Sequence, residues 1–268
     1  MHANPTSPRL RRAKKSLGQN FLMHSRIAER IALISGVDKN SVVLEIGPGT
    51  GMLTRELLKL VGKVVAIEAD RELFEKLQTD FKNEIGEDRL ELIYGDIRNY
   101  PLNTTTVLNS GYHVVANIPY YLTGEIFRMF LESKNQPDSM TLLVQKEVAD
   151  RIIARDGKES ILSLSVKAYG TPKREFLVPR GAFKPAPNVD SAVLTVRDIS
   201  RKNFATKTEE KKFFELIRAG FSHKRKFVRK NLLEAGLPCG DIPEKARAED
   251  LPLTQWLKIT KEKNQPSV

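Results

Sequence analysis

Residues that anchor metals or disulfides are scarce in this chain. Its single cysteine, Cys239, excludes an internal disulfide and any cage of thiolates, and suits a reducing compartment. The four histidines, His2, His24, His113 and His223, are scattered, so no metal site can be read from them. No apolar run approaches membrane length and no signal-peptide core is present, so neither a membrane span nor secretion is expected. Internal repeats and low-complexity tracts are also missing. What is left is 268 residues with 40% hydrophobic and 29% charged side chains, enough to bury one large core and a smaller second one. The matching expectations are a cytoplasmic location, no metal, no membrane partner and a monomeric state. The arginine-rich start keeps an organelle open.

Acid is in short supply. Basic residues number 44 against 33 acidic ones, a formal net charge of +11. Such an excess points to a polyanion, nucleic acid before a membrane surface. Two stretches concentrate the charge. Residues 5–15 carry Arg9, Arg11, Arg12, Lys14 and Lys15 with no acid among them. Alone they form a solvated tail; beside a nucleic-acid site they become phosphate contacts. In the second stretch, a helical wheel over 224–233 places Phe227, Val228 and Leu232 on one face. Arg225, Lys226, Arg229 and Lys230 fall on the opposite face. No acid occurs from Leu216 to Leu233, whereas solvated faces normally mix signs.

The chain is organised around Val42–Thr54. Val42, Val43, Leu44 and Ile46 read as a strand buried on both faces of a parallel sheet. Gly47, Gly49 and Gly51 follow, then the helical pattern Met52, Leu53, Leu57 and Leu58. Strand, glycine turn and helix build a ligand crevice at the carboxyl end of a first strand. The spacing G-x-G-x-G departs from the dinucleotide fingerprint and lacks the lysine of a phosphate loop, which weakens both phosphate readings. A turn with a structural purpose alone stays open. Further strands are expected at Lys63–Glu68, Leu90–Tyr94, Tyr112–Ala116 and Met140–Gln145, and helices at Arg71–Phe81, Thr123–Leu131 and Glu147–Ala154. The strand tips bring Glu68, Asp96 and Asn117 to one carboxyl edge. Glu68, about twenty residues beyond the first turn, stands where α/β folds bind ribose hydroxyls. It can equally cap the next helix, a task also open to Asp70.

Ser160–Tyr169 is ambiguous between helix and strand. Phe176–Val178 and Ala192–Val196 read as a closing pair of strands. Between them Phe183–Ser191 forms a proline-braced loop that presents one ring, Phe183, either to a ligand or to the core. The polar, basic stretch 198–212 divides the chain into an α/β domain with its basic arm, 1–200, and a helical basic domain, 201–268.

Asn117-Ile118-Pro119-Tyr120 at a strand tip carries the chemistry. An adenine amino nitrogen is a poor nucleophile because its lone pair is delocalised into the ring. Acceptors on its two hydrogens localise that lone pair and aim it at a methyl donor. The Asn117 side-chain carbonyl can be one acceptor. A backbone carbonyl at Ile118 or Pro119, stiffened because proline fixes φ, can be the other. The proton becomes acidic only after the methyl has arrived, so no general base is needed, and catalysis is positioning plus electrostatics. Tyr120 offers a ring for the extruded base. Extrusion costs a few kcal/mol and one stacking contact returns about 1–3 kcal/mol, so a second ring is called for, with Phe183 as the candidate.

At these residues the chain resembles the ribosomal RNA adenine dimethyltransferase family, specifically its small-subunit branch. The resemblance covers nearly the whole chain, from Gln19-Asn20-Phe21-Leu22 through Leu44–Gly51, Ile67-Glu68, Gly95-Asp96 and Asn117–Tyr120. It continues through Phe183–Ser191 to Lys224-Arg225-Lys226 and Asn231-Leu232, in the family's order. Ile118 departs conservatively from the family's more frequent leucine. The resemblance implies a Rossmann-like S-adenosylmethionine-dependent methyltransferase domain, a mostly parallel sheet with helices on both faces, plus a small all-helical C-terminal domain. It implies S-adenosylmethionine across Asn20, Leu22, Gly47, Gly49, Glu68, Asp96, Ile97 and Asn117, with Glu68 on the ribose hydroxyls and Asp96 on the adenine amino group. Asn117, Pro119, Tyr120 and Phe183 form the expected catalytic set. Arg11, Arg12, Lys14, Lys15, Arg225, Lys226, Arg229 and Lys230 are the expected RNA contacts. The implied reaction places two methyls on each of two adjacent adenosines in a hairpin near the end of small-subunit rRNA, in the assembling small ribosomal subunit. The rivals are a large-subunit RNA methyltransferase, a DNA adenine methyltransferase, an RNA-binding assembly or transcription factor without turnover, and a nicotinamide dehydrogenase.

Overall fold

The computed structural model describes residues 19–100, 108 and 111–262. Arg11, Arg12, Lys14 and Lys15 lie outside the described residues. The chain enters through a two-residue strand, β1 (Phe21–Leu22), and helix α1 (Ser25–Ile34). It continues with β2 (Val42–Ile46), α2 (Met52–Leu60), β3 (Lys63–Glu68), α3 (Arg71–Asp80), α4 (Lys82–Gly86) and β4 (Leu90–Tyr94). Next come β5 (His113–Asn117), α5 (Thr123–Leu131), β6 (Ser139–Gln145), α6 (Lys146–Ile152) and α7 (Ile161–Lys167). The strands close with β7 (Thr171–Val178), β8 (Phe183–Lys184) and β9 (Ser191–Arg197), and α8 (Lys207–Gly220), α9 (Val228–Glu234) and α10 (Leu253–Lys261) follow.

Seven strands form one sheet in the order β4-β3-β2-β5-β6-β9-β7. Strands β2 to β6 pair in parallel, and β9 runs antiparallel to both its neighbours. The parallel strands are nearly all apolar because helices cover both faces. On one face Ile31, Leu53, Leu57 and Leu77 pack on Val43, Val64 and Val115. On the other, Phe127, Phe130 and Leu164 pack on Leu44, Val65, Val114 and Leu142. Phe213 and Trp256, from the helical tail, belong to this second cluster, so the helices after residue 200 share a core with the sheet.

The chain starts mid-sheet at β2, works outward through β3 to β4, then returns to β5 on the other side of β2. That reversal opens a crevice at the carboxyl ends of β2 and β5. The turn leading into it is shaped by Gly51, whose φ of +77° is left-handed. A Cβ there would stand 2.5 Å from the Phe81 ring and 2.9 Å from Leu77, so only glycine lets α2 pack this close to α3.

The ambiguous stretch 160–169 is a helix. Ser160 and Ser163 form a reciprocal capping box that starts α7, a local signal stronger than the mixed apolar pattern. The expected helix over 224–233 is corrected to α9, which begins only at Val228. Phe227 is extended, with ψ of 143°, and is 44% exposed rather than docked. Asn231 is the reason: its Nδ2 donates to the Gly220 and His223 carbonyls and pins residues 220–223 as a turn.

Candidate active site

The crevice gathers residues that are far apart in sequence. Asn20, Leu22, Gly47, Gly49, Glu68, Asp96, Ile97, Asn117, Pro119 and Tyr120 all line one cleft. Of the residues expected there, Phe183 alone is elsewhere.

Glu68, at the tip of β3, is 4% exposed. Its Oε2 accepts the Gly49 N–H at 3.0 Å and its Oε1 accepts the Asp70 N–H at 2.8 Å. Burial pushes its pKa up, and the two N–H donors pull the other way. The task of capping α3 falls to Asp70, whose Oδ1 accepts the Glu72 N–H at 3.0 Å. Glu68 therefore ties the glycine turn to the β3–α3 loop, with further acceptor capacity left on each oxygen.

Asn117 ends β5. Its Nδ2 donates to the Asn20 carbonyl at 3.1 Å, which fixes the amide and leaves Oδ1 without a partner among the described residues. The turn that follows is built on Pro119, whose carbonyl accepts the Leu122 N–H at 3.0 Å. The Tyr120 hydroxyl meets Ser191 Oγ at 2.6 Å, anchoring the ring to β9. Burial raises its pKa, so it stays a neutral phenol.

Phe21 and Glu45 are among the cleft residues not expected from the sequence. Phe21 lies against Gly49, where a Cβ would come within 3.2 Å of its ring. The pattern gave no hint because β1 is two residues long and pairs only with β8. Glu45 is 1% exposed, with Oε2 lacking any hydrogen-bond partner among the described residues. Burial, reinforced by the neighbouring charge of Glu68, pushes its pKa up to about 8. The unfolded chain releases this proton near 4.5 and the folded protein near 8, so the stability it contributes is complete below 4.5 and lost through 8. We therefore expect the melting temperature to fall between about pH 4.5 and about pH 8 and to level off above that, and Glu45→Gln to flatten that fall. An unchanged pH profile in the variant would contradict the assignment.

Phe183 is corrected from a cleft ring to a core residue. It is 4% exposed, and β8 pairs it with Leu22 of β1 inside the cluster that holds Val178 and Ala182. The proline-braced loop presents its ring to the core because β1 covers it. The basic stretch is also redistributed. Lys226 pairs with Glu234 at 2.9 Å, and the half-buried Arg229 donates to the Ile242 carbonyl at 3.0 Å. Arg225 lies in the turn before α9, and Lys230 remains exposed on it.

A second cleft, between α5, α7 and α8, collects cations of which only Lys224 belongs to a basic run of the sequence. Arg128, Arg151, Arg218 and Lys224 line it, each exposed and each with a side chain free of hydrogen bonds and ion pairs among the described residues. They sit singly on separate elements, so only the fold brings them together.

The described lining of the cleft at β2 and β5 sets Glu45, Glu68 and Asp96 against one cation, Arg98. Even with Glu45 protonated its balance is negative, which suits the sulfonium and ammonium of S-adenosylmethionine. No group of histidine, cysteine or carboxylate residues able to hold a metal occurs among the described residues. Sheet order, crevice and acidic lining together define an S-adenosylmethionine-dependent methyltransferase. Comparison with known proteins carries this further. The family model for ribosomal RNA adenine dimethylase matches residues 10–265. Ribosomal RNA small subunit methyltransferase A of Dehalococcoides mccartyi is 38% identical, covering 92% of this chain and 87% of that protein. Its namesake from Fusobacterium nucleatum is also 38% identical, covering 92% and 96%. Among solved structures, 23S rRNA methyltransferase ErmE superposes with a TM-score of 0.74 at 25% identity, covering 90% of this chain and 98% of that one. A dimethyladenosine transferase from Plasmodium falciparum gives 0.74 at 25%, covering 89% and 95%. The chain belongs to the ribosomal RNA adenine dimethylase family.

Proposed function

We propose that the protein methylates the N6 amino groups of two adjacent adenosines in a hairpin near the end of small-subunit rRNA, leaving each dimethylated. The observation that carries this reading is Asn117 Oδ1 at the tip of β5, without a partner among the described residues and held in place through Nδ2 by the Asn20 carbonyl. S-adenosylmethionine supplies the electrophilic methyl. Glu68 holds its ribose, Asp96 its adenine, and the glycine turn lets the backbone approach; Asn20, Leu22 and Ile97 complete the wall. Asn117 Oδ1 accepts one hydrogen of the target amino group. The Pro119 carbonyl is committed to Leu122, which leaves the Ile118 carbonyl as the second acceptor. Tyr120 stacks on the extruded base. With Phe183 in the core, Tyr121, 58% exposed at the rim of the cleft, is the available second ring.

The same reading assigns RNA phosphates to Arg128, Arg151, Arg218 and Lys224, and further phosphates to Arg225, Lys230 and the N-terminal basic residues. Residues 1–200 then perform the chemistry and share the RNA with 201–268, in a cytoplasmic monomer. The Arg128→Ala/Arg218→Ala protein is expected to bind small-subunit particles with a salt slope shallower by about two units, one for each phosphate that is no longer neutralised. An unchanged slope would remove this cleft from the RNA surface. The substrate is tested by supplying labelled S-adenosylmethionine with unmethylated small-subunit particles, large-subunit RNA or duplex DNA. Label in the small-subunit rRNA alone supports the proposal. Label in either of the others assigns the protein to that substrate, and label in none makes it an RNA-binding factor.

A further inference from the structure

Among the described residues Arg98 is the one lysine or arginine lining the cleft, and its guanidinium is spent on Asp96. Nε lies 3.0 Å from Oδ1 and 3.1 Å from Oδ2, and Nη2 lies 2.5 Å from Oδ2. The Arg98 backbone N–H adds a fourth contact, donating to Oδ1 at 2.9 Å, because Asp96 caps the short helical turn Ile97–Asn99. An ionised carboxylate offers about four acceptor positions. Here Oδ1 has filled both of its own, with the backbone N–H and Nε. Oδ2 takes Nη2 and only a share of the Nε hydrogen that Oδ1 also accepts, so the one acceptor position not fully engaged lies on Oδ2.

From this geometry we infer that Arg98 is the positioning residue that makes Asp96 a reader of the cofactor's adenine amino group. The inference rests on the reading of this cleft as the S-adenosylmethionine site. The planar fork of arginine fixes the carboxylate plane, which a point charge cannot do. The guanidinium also holds the Asp96 pKa below the ordinary carboxylate value, so the side chain accepts hydrogen bonds and does not donate them. A lone acceptor position matches the N–H of a 6-amino group and meets the oxygen of a 6-oxo purine with repulsion. Arg98 thus sets the base specificity of the cofactor without touching the reacting atoms.

The test is calorimetric and needs no turnover. S-adenosylhomocysteine and S-inosylhomocysteine differ at the 6-position of the purine, amino against oxo, and in the hydrogen that N1 of the oxo form carries. The wild-type protein is expected to prefer the adenosyl compound by about tenfold or more, one to two charge-assisted hydrogen bonds' worth. Arg98→Met, which keeps the stem and removes the fork, should bind S-adenosylhomocysteine about tenfold more weakly and lose most of the preference. Arg98→Lys should recover affinity in part but not the preference. Wild-type affinity and preference in Arg98→Met would overturn the inference, and so would tighter binding, which would make Arg98 a competitor for the carboxylate. If the wild-type protein binds neither compound, the cofactor reading of the cleft fails and the role of Arg98 falls with it.

Discussion

Replacing Asn117 with alanine is expected to slow methyl transfer by about two to three orders of magnitude, the cost of losing one preorganised partner of developing charge. The amino nitrogen gains positive charge as the methyl arrives, so an acceptor on its hydrogen matters more in the transition state than in the bound complex. The defect should therefore appear in kcat, with RNA and cofactor affinities changing far less. Asn117→Asp separates two consequences of the substitution. It keeps an acceptor at the position of Oδ1 and loses the Nδ2 donor that engages the Asn20 carbonyl. Its rate should lie between wild type and alanine. Single-turnover kinetics on small-subunit particles measures both. Wild-type turnover in Asn117→Ala would remove the side chain from the chemistry.

The second large effect falls on the cofactor. Two ribose hydroxyls donating to the Glu68 carboxylate contribute about 1.5–3 kcal/mol each, so Glu68→Ala should weaken S-adenosylhomocysteine by a factor of about 10² to 10⁴. The structure adds a cost that the sequence did not show. The Gly49 and Asp70 N–H groups both lose their acceptor, at about 1–3 kcal/mol for each donor left buried. The variant should melt at a lower temperature than wild type and still bind RNA with normal affinity below its transition. Calorimetry with S-adenosylhomocysteine, run alongside RNA filter binding, reads both effects. Undiminished cofactor affinity would take Glu68 out of the site. A parallel loss of RNA affinity would mean that the substitution acts through the fold.

The cofactor cleft was legible because its parts are backbone-bound. Gly47, Gly49, Glu68, Asp96 and Asn117 sit at strand tips, and alternation of strands and helices alone brings strand tips to one edge. The residues that depend on packing between distant elements were not legible. Phe183 fits a presented ring equally well until β1 is laid across it. The wheel through 224–233 assumes a continuous helix, and the contacts of Asn231 that interrupt it reach back to Gly220 and His223. Lys226 looked unpaired because Glu234 stands one residue beyond the acid-free run. The cations between α5, α7 and α8 come from four separate segments, so no window of sequence contains them together.

Two acceptors on one amino group predict a particular product, and mass spectrometry of the RNA measures it directly. Unmethylated small-subunit particles are incubated with the protein and S-adenosylmethionine, and the rRNA is digested and sequenced by fragment mass. Two adjacent N6,N6-dimethyladenosines in one hairpin loop are expected, because a monomethylated nitrogen still carries a hydrogen for Asn117 to accept. Methyl on a ring nitrogen, on a ribose oxygen or on a base other than adenine would contradict the role given to Asn117 and the turn that follows it.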